Sequence, residues 1–278
     1  ATGITAGGLA LGATVATASS NTRTEAVVGQ GLRVDTAMGQ LQVVADGQDA
    51  NRAHSIAGTG GLISGSASVA TTDAGSRVNA LLGNQAGQGS AINAADVIVH
   101  ASQASGYAGQ ADSTSASLAG ASGAAVINRV DSHVDAAIGD GAVLWAGKSV
   151  SVRADNQFNS LLDGAAVDAA AGGVLNGSAA ALDTRLSGHT SARVGDDVRL
   201  RSGLATTPEE YGNIDVAART SARAIDSAQL STGGAIQAAV VDTRLTADLV
   251  NAVRVGNNSR LESLGYLNLG TTTSGVLD

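Results

Sequence analysis

The 278-residue chain has no cysteine, one proline and one lysine, and Phe, Trp and Tyr together make up 2% of it. Without cysteine there is no disulfide framework and no thiolate metal site. A thick globular core is filled by large side chains, so a chain this poor in aromatics has a thin core with closely spaced backbones. Charged residues are only 14% of the chain, with a net charge of -8, against about 25% charged in ordinary domains. No basic stripe exists, so nucleic acid is not expected as a partner. No apolar run reaches membrane length and no leader segment is visible, so membrane insertion is not expected. The chain opens at Ala1 inside its own pattern and reads as a processed or excised piece of something longer.

What is abundant is Ala, Gly, Val, Leu and Ser, with 20 Asp against 4 Glu. Asp suits tight turns whereas Glu and Lys suit helices, which points to a turn-rich β chain. The clearest pattern is Ile138-Gly139-Asp140-Gly141-Ala142-Val143-Leu144-Trp145-Ala146, followed by Val150-Ser151-Val152-Arg153-Ala154. It comprises an apolar residue, a Gly, a turn pair, an alternating strand, a break and a second alternating strand. It recurs with marker glycines at 29, 83, 139, 195 and 256, a period of about 55 to 60 residues. Five units follow, over approximately 1–46, 47–101, 102–156, 157–218 and 219–278, forming one continuous domain. Gly7-Gly8, Gly60-Gly61, Gly172-Gly173 and Gly233-Gly234 mark a second turn that enters a strand. The one irregularity is 203–213, where Thr207, Pro208 and Glu210 would cap a single helical turn.

Units this small and Gly-rich cannot bury a face alone, so stacked neighbours must share a core. Turns rather than helices separate the strands, which excludes βαβ units. The expected fold is all-β, a right-handed parallel β-helix (β-solenoid) of five imperfect repeats. Taking roughly 20 residues per coil, each repeat makes about three coils. The chain is then a rod of about 14 coils and about 65 Å. Aligning the repeats assigns faces. Val34, Ile92, Leu144, Leu200 and Leu261 share an inward slot; Asp35, Asn93, Trp145, Arg201 and Glu262 share the next, outward one.

β-Helices include polysaccharide-degrading enzymes, in which catalytic groups would depart from the repeat pattern. Asp196-Asp197 resembles a paired-carboxylate site, but Gln30-Gly31, Asp140-Gly141 and Asn257-Asn258 occupy its place in other units, which marks a turn. His133 and His189 share a slot with Arg23, Arg77 and Val250, which marks a variable wall position. His54 and His100 have no acidic or His partner at ligand spacing, so no metal or other cofactor is expected. The triplets Asp183-Thr184-Arg185 and Asp242-Thr243-Arg244, with Asn21-Thr22-Arg23, suggest Asp–Arg pairs between coils. Trp145 is either a surface aromatic packed on Arg or a sugar-stacking or interface residue. Tyr107 and Tyr211 are further candidates for surface recognition.

The motif carried by Ile138–Ala146 and Val150–Ala154 resembles the repeats of very large secreted bacterial exoproteins. These are the filamentous-haemagglutinin-like, leukotoxin-type and biofilm-matrix adhesins. The similarity covers nearly the whole chain, except that no secretion domain or distinct binding domain is seen. It implies export to the bacterial surface or extracellular matrix and a structural, non-enzymatic role in cell attachment. Expected partners are further copies, joined end to end or laterally, and an exopolysaccharide or a cell surface. An exopolysaccharide-binding module and a carbohydrate-active β-helix enzyme are the alternatives.

Overall fold

A computed structural model describes residues 1–29, 31–83, 91–162, 164–203 and 212–278. The fold is all-β. Among the described residues twelve strands join in one sheet, and each neighbouring pair runs parallel. Strand β1 (Thr2–Val28) lies on the second half of β2 (Arg33–Leu82), with Thr2 opposite Ile56 and Val28 opposite Leu82. The whole of β2 lies on β3 (Ala91–Ile138), with Arg33 opposite Ala91 and Leu82 opposite Ile138. On β3 lie, in order, β4 (Val143–Ser160), β5 (Val167–Gly172) and β6 (Leu175–Val194). The next layer is β7 (Arg199–Ser202), β8 (Asn213–Ala224), β9 (Ala228–Gly233) and β10 (Ile236–Val255). Strands β11 (Arg260–Ser263) and β12 (Leu267–Leu277) lie on β7 and β8.

These ladders correct the expected coil. Strand partners are not about 20 residues apart. Val28, Leu82, Ile138, Val194 and Val255 form one column, so each unit is a single layer. Five layers at about 4.8 Å per step give roughly 20 Å, not 65 Å. The long dimension lies across the layers instead. Each goes out along a forward wall and back along a return wall, and about 20 residues per wall at about 3.3 Å each make roughly 65 Å.

The marker glycines form one edge. Gly83 N–H donates to the Val28 carbonyl, Gly139 to Leu82, Gly195 to Ile138 and Gly256 to Val194. A Cβ on Gly195 would run into Asp140 and the backbone of Gly139, and one on Gly256 into Asp196 and Gly195. Only glycine lets the layers close here. In the turn that follows, Gly141, Asp197 and Asn258 have positive φ (67°, 55° and 55°). Asp140 Oδ1 accepts from the Asp196 N–H at 2.9 Å, and Asp196 Oδ1 accepts from the Asn257 N–H. Asp196-Asp197 is therefore a turn pair held by the layer stack. At the opposite edge the chain reverses through the other glycine column, where Gly61 packs directly on the backbone of Gly7.

The interior changes along its width. Next to the marker glycines it is aliphatic, with Val78, Leu82, Val97, Ile138, Leu144 and Leu200 buried together. Farther in, Tyr107, Val130, Phe158 and Leu186 form one cluster, and Ala53, Ala70, Ala124, Val126 and Leu182 another. Toward the reversal edge the filling becomes hydroxyls. Ser64 Oγ and Ser115 Oγ lie 2.6 Å apart, Ser66 Oγ and Ser113 Oγ 2.8 Å, and Ser68 Oγ donates to the Ser55 carbonyl at 2.7 Å. Side chains this small let two β walls approach with little apolar volume between them, which is how a chain with 2% aromatics closes a core. The inward slot behaves as the alignment predicts: Ile92, Leu144 and Leu200 are buried, while Val34 and Leu261 are partly buried against the same cluster.

Candidate functional site

The return wall turns alternate side chains outward, and parallel register stacks like positions into columns about 4.8 Å apart. One column runs Arg23, Arg77, His133, His189, Val250, as the repeat alignment predicts. The next runs Glu25, Asn79, Asp135, Ser191, Ala252. The His133 and His189 rings lie 5.9 Å apart and tilted by 36°. Two depressions flank the column, of about 470 Å³ and 850 Å³, and both are lined by Arg23, Arg77 and His133.

Carboxylates neutralise part of this face. Arg23 pairs with Glu25 at 2.6 Å, Arg193 with Asp135 at 2.6 Å and His133 with Asp131 at 3.6 Å. Arg77 makes no ion pair among the described residues. It stands one layer from Arg23 and one from His133, exposed on the wall. The arrangement offers two guanidinium groups and two imidazoles, on four of the five layers, to an extended anion lying across the strands.

The forward wall carries different pairs. His54 Nε2 lies 2.8 Å from Asp112 Oδ2 and His100 Nε2 lies 2.9 Å from Asp155 Oδ2. Arg153 Nε donates to Asp215 Oδ2 at 2.6 Å. These contacts overturn the expectation that His54 and His100 lack acidic partners. The partners are 58 and 55 residues away in sequence and one layer away in space. Each carboxylate sits diagonally across a layer boundary from its cation and clips the layers together. Among the described residues no three His, Asp or Glu side chains gather as metal ligands. Among the described residues the Asp–Arg triplets form no ion pair between layers: Arg185 pairs with Asp183 on its own strand at 3.0 Å, although Arg244 lies opposite Asp183 in the next layer.

Of the aromatic candidates, Trp145 is 61% exposed and stands in the expected column, between Asn93 and Arg201. Tyr107 is fully buried, and a ring enclosed by Ala74, Val130, Phe158 and Leu186 cannot meet a surface ligand. The reason is register, since Tyr107 pairs with Asn51, itself an inward position. Tyr211 and the residues expected to cap a helical turn, Thr207, Pro208 and Glu210, lie outside the described residues.

A second polar group lies inside. Burial pushes the Asp226 carboxyl above the ordinary carboxylate range, with Thr184 partly offsetting the shift. The Tyr107 phenol is likewise pushed up, by burial and by Asp226. Among the described residues the Tyr107 hydroxyl has no partner at hydrogen-bonding distance. No sequence signal distinguishes Asp226 from the surface aspartates. Comparison with protein-family models, curated proteins and solved structures finds no match for the chain.

Proposed function

We propose that the chain is a right-handed parallel β-helix segment of a secreted bacterial adhesin or matrix filament, and that its work is mechanical rather than enzymatic. The observation that carries this reading is the pairing of whole layers on whole layers, from Thr2 to Leu277. Right-handed crossover is the hand that parallel strands favour. End-to-end stacking of copies would make a fibre whose backbone hydrogen bonds run along its axis, suited to linking cells in a matrix.

The test is electron microscopy and sedimentation of the purified chain across a concentration series. Fibres of constant width that lengthen with concentration support the reading. Particles that stay single at every concentration, together with no attachment to cells or matrix, refute it.

The Arg23–Arg77–His133–His189 column favours a second reading, an acidic exopolysaccharide as ligand. Co-sedimentation with an acidic polysaccharide should weaken in Arg77→Ala. Binding that is unchanged in Arg77→Ala but lost in Trp145→Ala would move the site to the forward wall.

A further inference from the structure

The edge where each layer reverses carries a continuous apolar ridge. Leu62 and Ile63, Leu118, and Val174 and Leu175 turn outward in three successive layers, between 47% and 61% exposed. Leu9 and Ile236 carry the same line into the outer layers, 69% and 65% exposed. Three of the five layers are interior, so there the exposure belongs to the fold and not to an open end. At roughly 100 Å² for each of the five interior-layer residues, the ridge presents about 500 Å² of apolar surface, toward the upper end of the ~300–600 Å² of the largest patch on a typical monomer. Leu9 and Ile236 extend it toward the ~800 Å² that each partner contributes to a standard interface.

The ridge is also free of charge. No Asp, Glu, Lys, Arg or His lies between His54 and Asp73, Asp112 and Arg129, Asp168 and Asp183, or Asp226 and Asp242. Leu62 is eight residues from His54 and eleven from Asp73, about 25–35 Å along a strand and well beyond a Debye length of ~8 Å. A charged partner therefore finds nothing here to pair with. A second copy of this chain, although its net charge is also -8, can approach edge to edge with its charges held back. The flanking positions in register with Leu11 are Gly65, Ala121, Gly177 and Ala238, which leave the apolar side chains standing proud.

We propose that two copies pair side by side through this ridge about a two-fold axis at the middle layer. A closed two-fold contact sets each residue against its own symmetry mate or a reciprocal partner. With five layers and the axis at the third, Leu118 meets Leu118, and Leu62 and Ile63 meet Val174 and Leu175 of the other copy. This pairing is independent of end-to-end stacking and uses a different surface.

The chain has no cysteine, so a single Leu118→Cys substitution reports the contact directly. Under mild oxidation the full chain carrying it should form a covalent dimer, whereas Trp145→Cys, exposed on the forward wall, should not. Leu118→Asp places an unpaired charge in the contact and should weaken pairing by about tenfold or more in sedimentation, with its thermal unfolding unchanged because the site is exposed. A Leu118→Cys chain that stays monomeric under oxidation overturns the proposal. So does flotation of the wild type on neutral phosphatidylcholine vesicles without dimer formation, which would make the ridge a lipid contact. Fibres without the cross-link leave end-to-end stacking standing and remove the ridge pairing; cross-linked dimers without fibres do the reverse.

Discussion

Thr72, Asn128 and Thr184 occupy one interior column in three consecutive layers, each fully buried. Thr72 Oγ1 donates to Asn128 Oδ1 at 2.7 Å, and Asn128 Nδ2 donates to Thr184 Oγ1 at 3.0 Å. Asn128→Ala removes both bonds and leaves two hydroxyls in an apolar interior. A lost hydrogen bond is worth about 1 kcal/mol, and an orphaned buried group adds to that, so about 3 kcal/mol of stability should be lost. With a urea m-value near the upper end of ~1–3 kcal/mol/M, the unfolding midpoint should fall by about 1 M. The control removes the column altogether. Thr72→Val, Asn128→Leu and Thr184→Val combined remove the ladder's own polar groups together, leaving only Asp226 without its Thr184 neighbour, and should destabilise less than Asn128→Ala does. Circular dichroism in urea measures all three proteins. If Asn128→Ala loses no more stability than a surface substitution, or if the triple variant loses as much as the single one, the ladder is not what holds these layers in register.

Other perturbations separate the fold from its decoration. Asp226→Asn should stabilise the protein at neutral pH. The folded-state pKa of Asp226 is raised by burial, so its contribution to stability is full below its unfolded value of about 4 and is lost as pH rises through the folded value. The advantage of Asn should therefore shrink on acidification toward pH 4, as thermal melts at several pH values would register. Leu144→Ala, in the inward slot, should lose about 2–5 kcal/mol, whereas its outward neighbour Trp145→Ala should change stability by about 0.5 kcal/mol or less; equal effects would mean the slots are misassigned. Gly256→Ala should loosen the last layer first, seen as hydrogen-exchange protection lost over Arg260–Leu277 while β3 remains protected.

The parts legible in the sequence are those written in side chains. Alternation with a period of two separated Leu144 from Trp145, because a strand turns successive residues to opposite faces. The glycine markers were legible because they recur once per layer, and at Gly195 and Gly256 a Cβ would strike the layer beneath. Coil length was not legible. Backbone hydrogen bonds carry no side-chain signature, and alternation looks the same whether a 55-residue unit folds as three short coils or one long layer. The same blindness hid the pairs His54–Asp112 and His100–Asp155, which sequence spacing cannot bring together. Tyr107 misled for a related reason. Between Gly106 and Ala108 it resembles a lone surface ring, and only its register with Asn51 turns it inward.

One layer per repeat also decides how this chain can fold. Almost every strand pairing joins residues more than 50 positions apart, as Thr2 with Ile56 and Val28 with Leu82. A chain emerging from its N-terminus has no sheet partner until a full layer has followed it, and no second neighbour until another has. Contacts of such long range slow the first closure severely, whereas each later layer docks on an edge already in place. Assembly is thus nucleated once and then propagates as a zipper, and a chain held extended until its first two layers are clear can begin folding from either end.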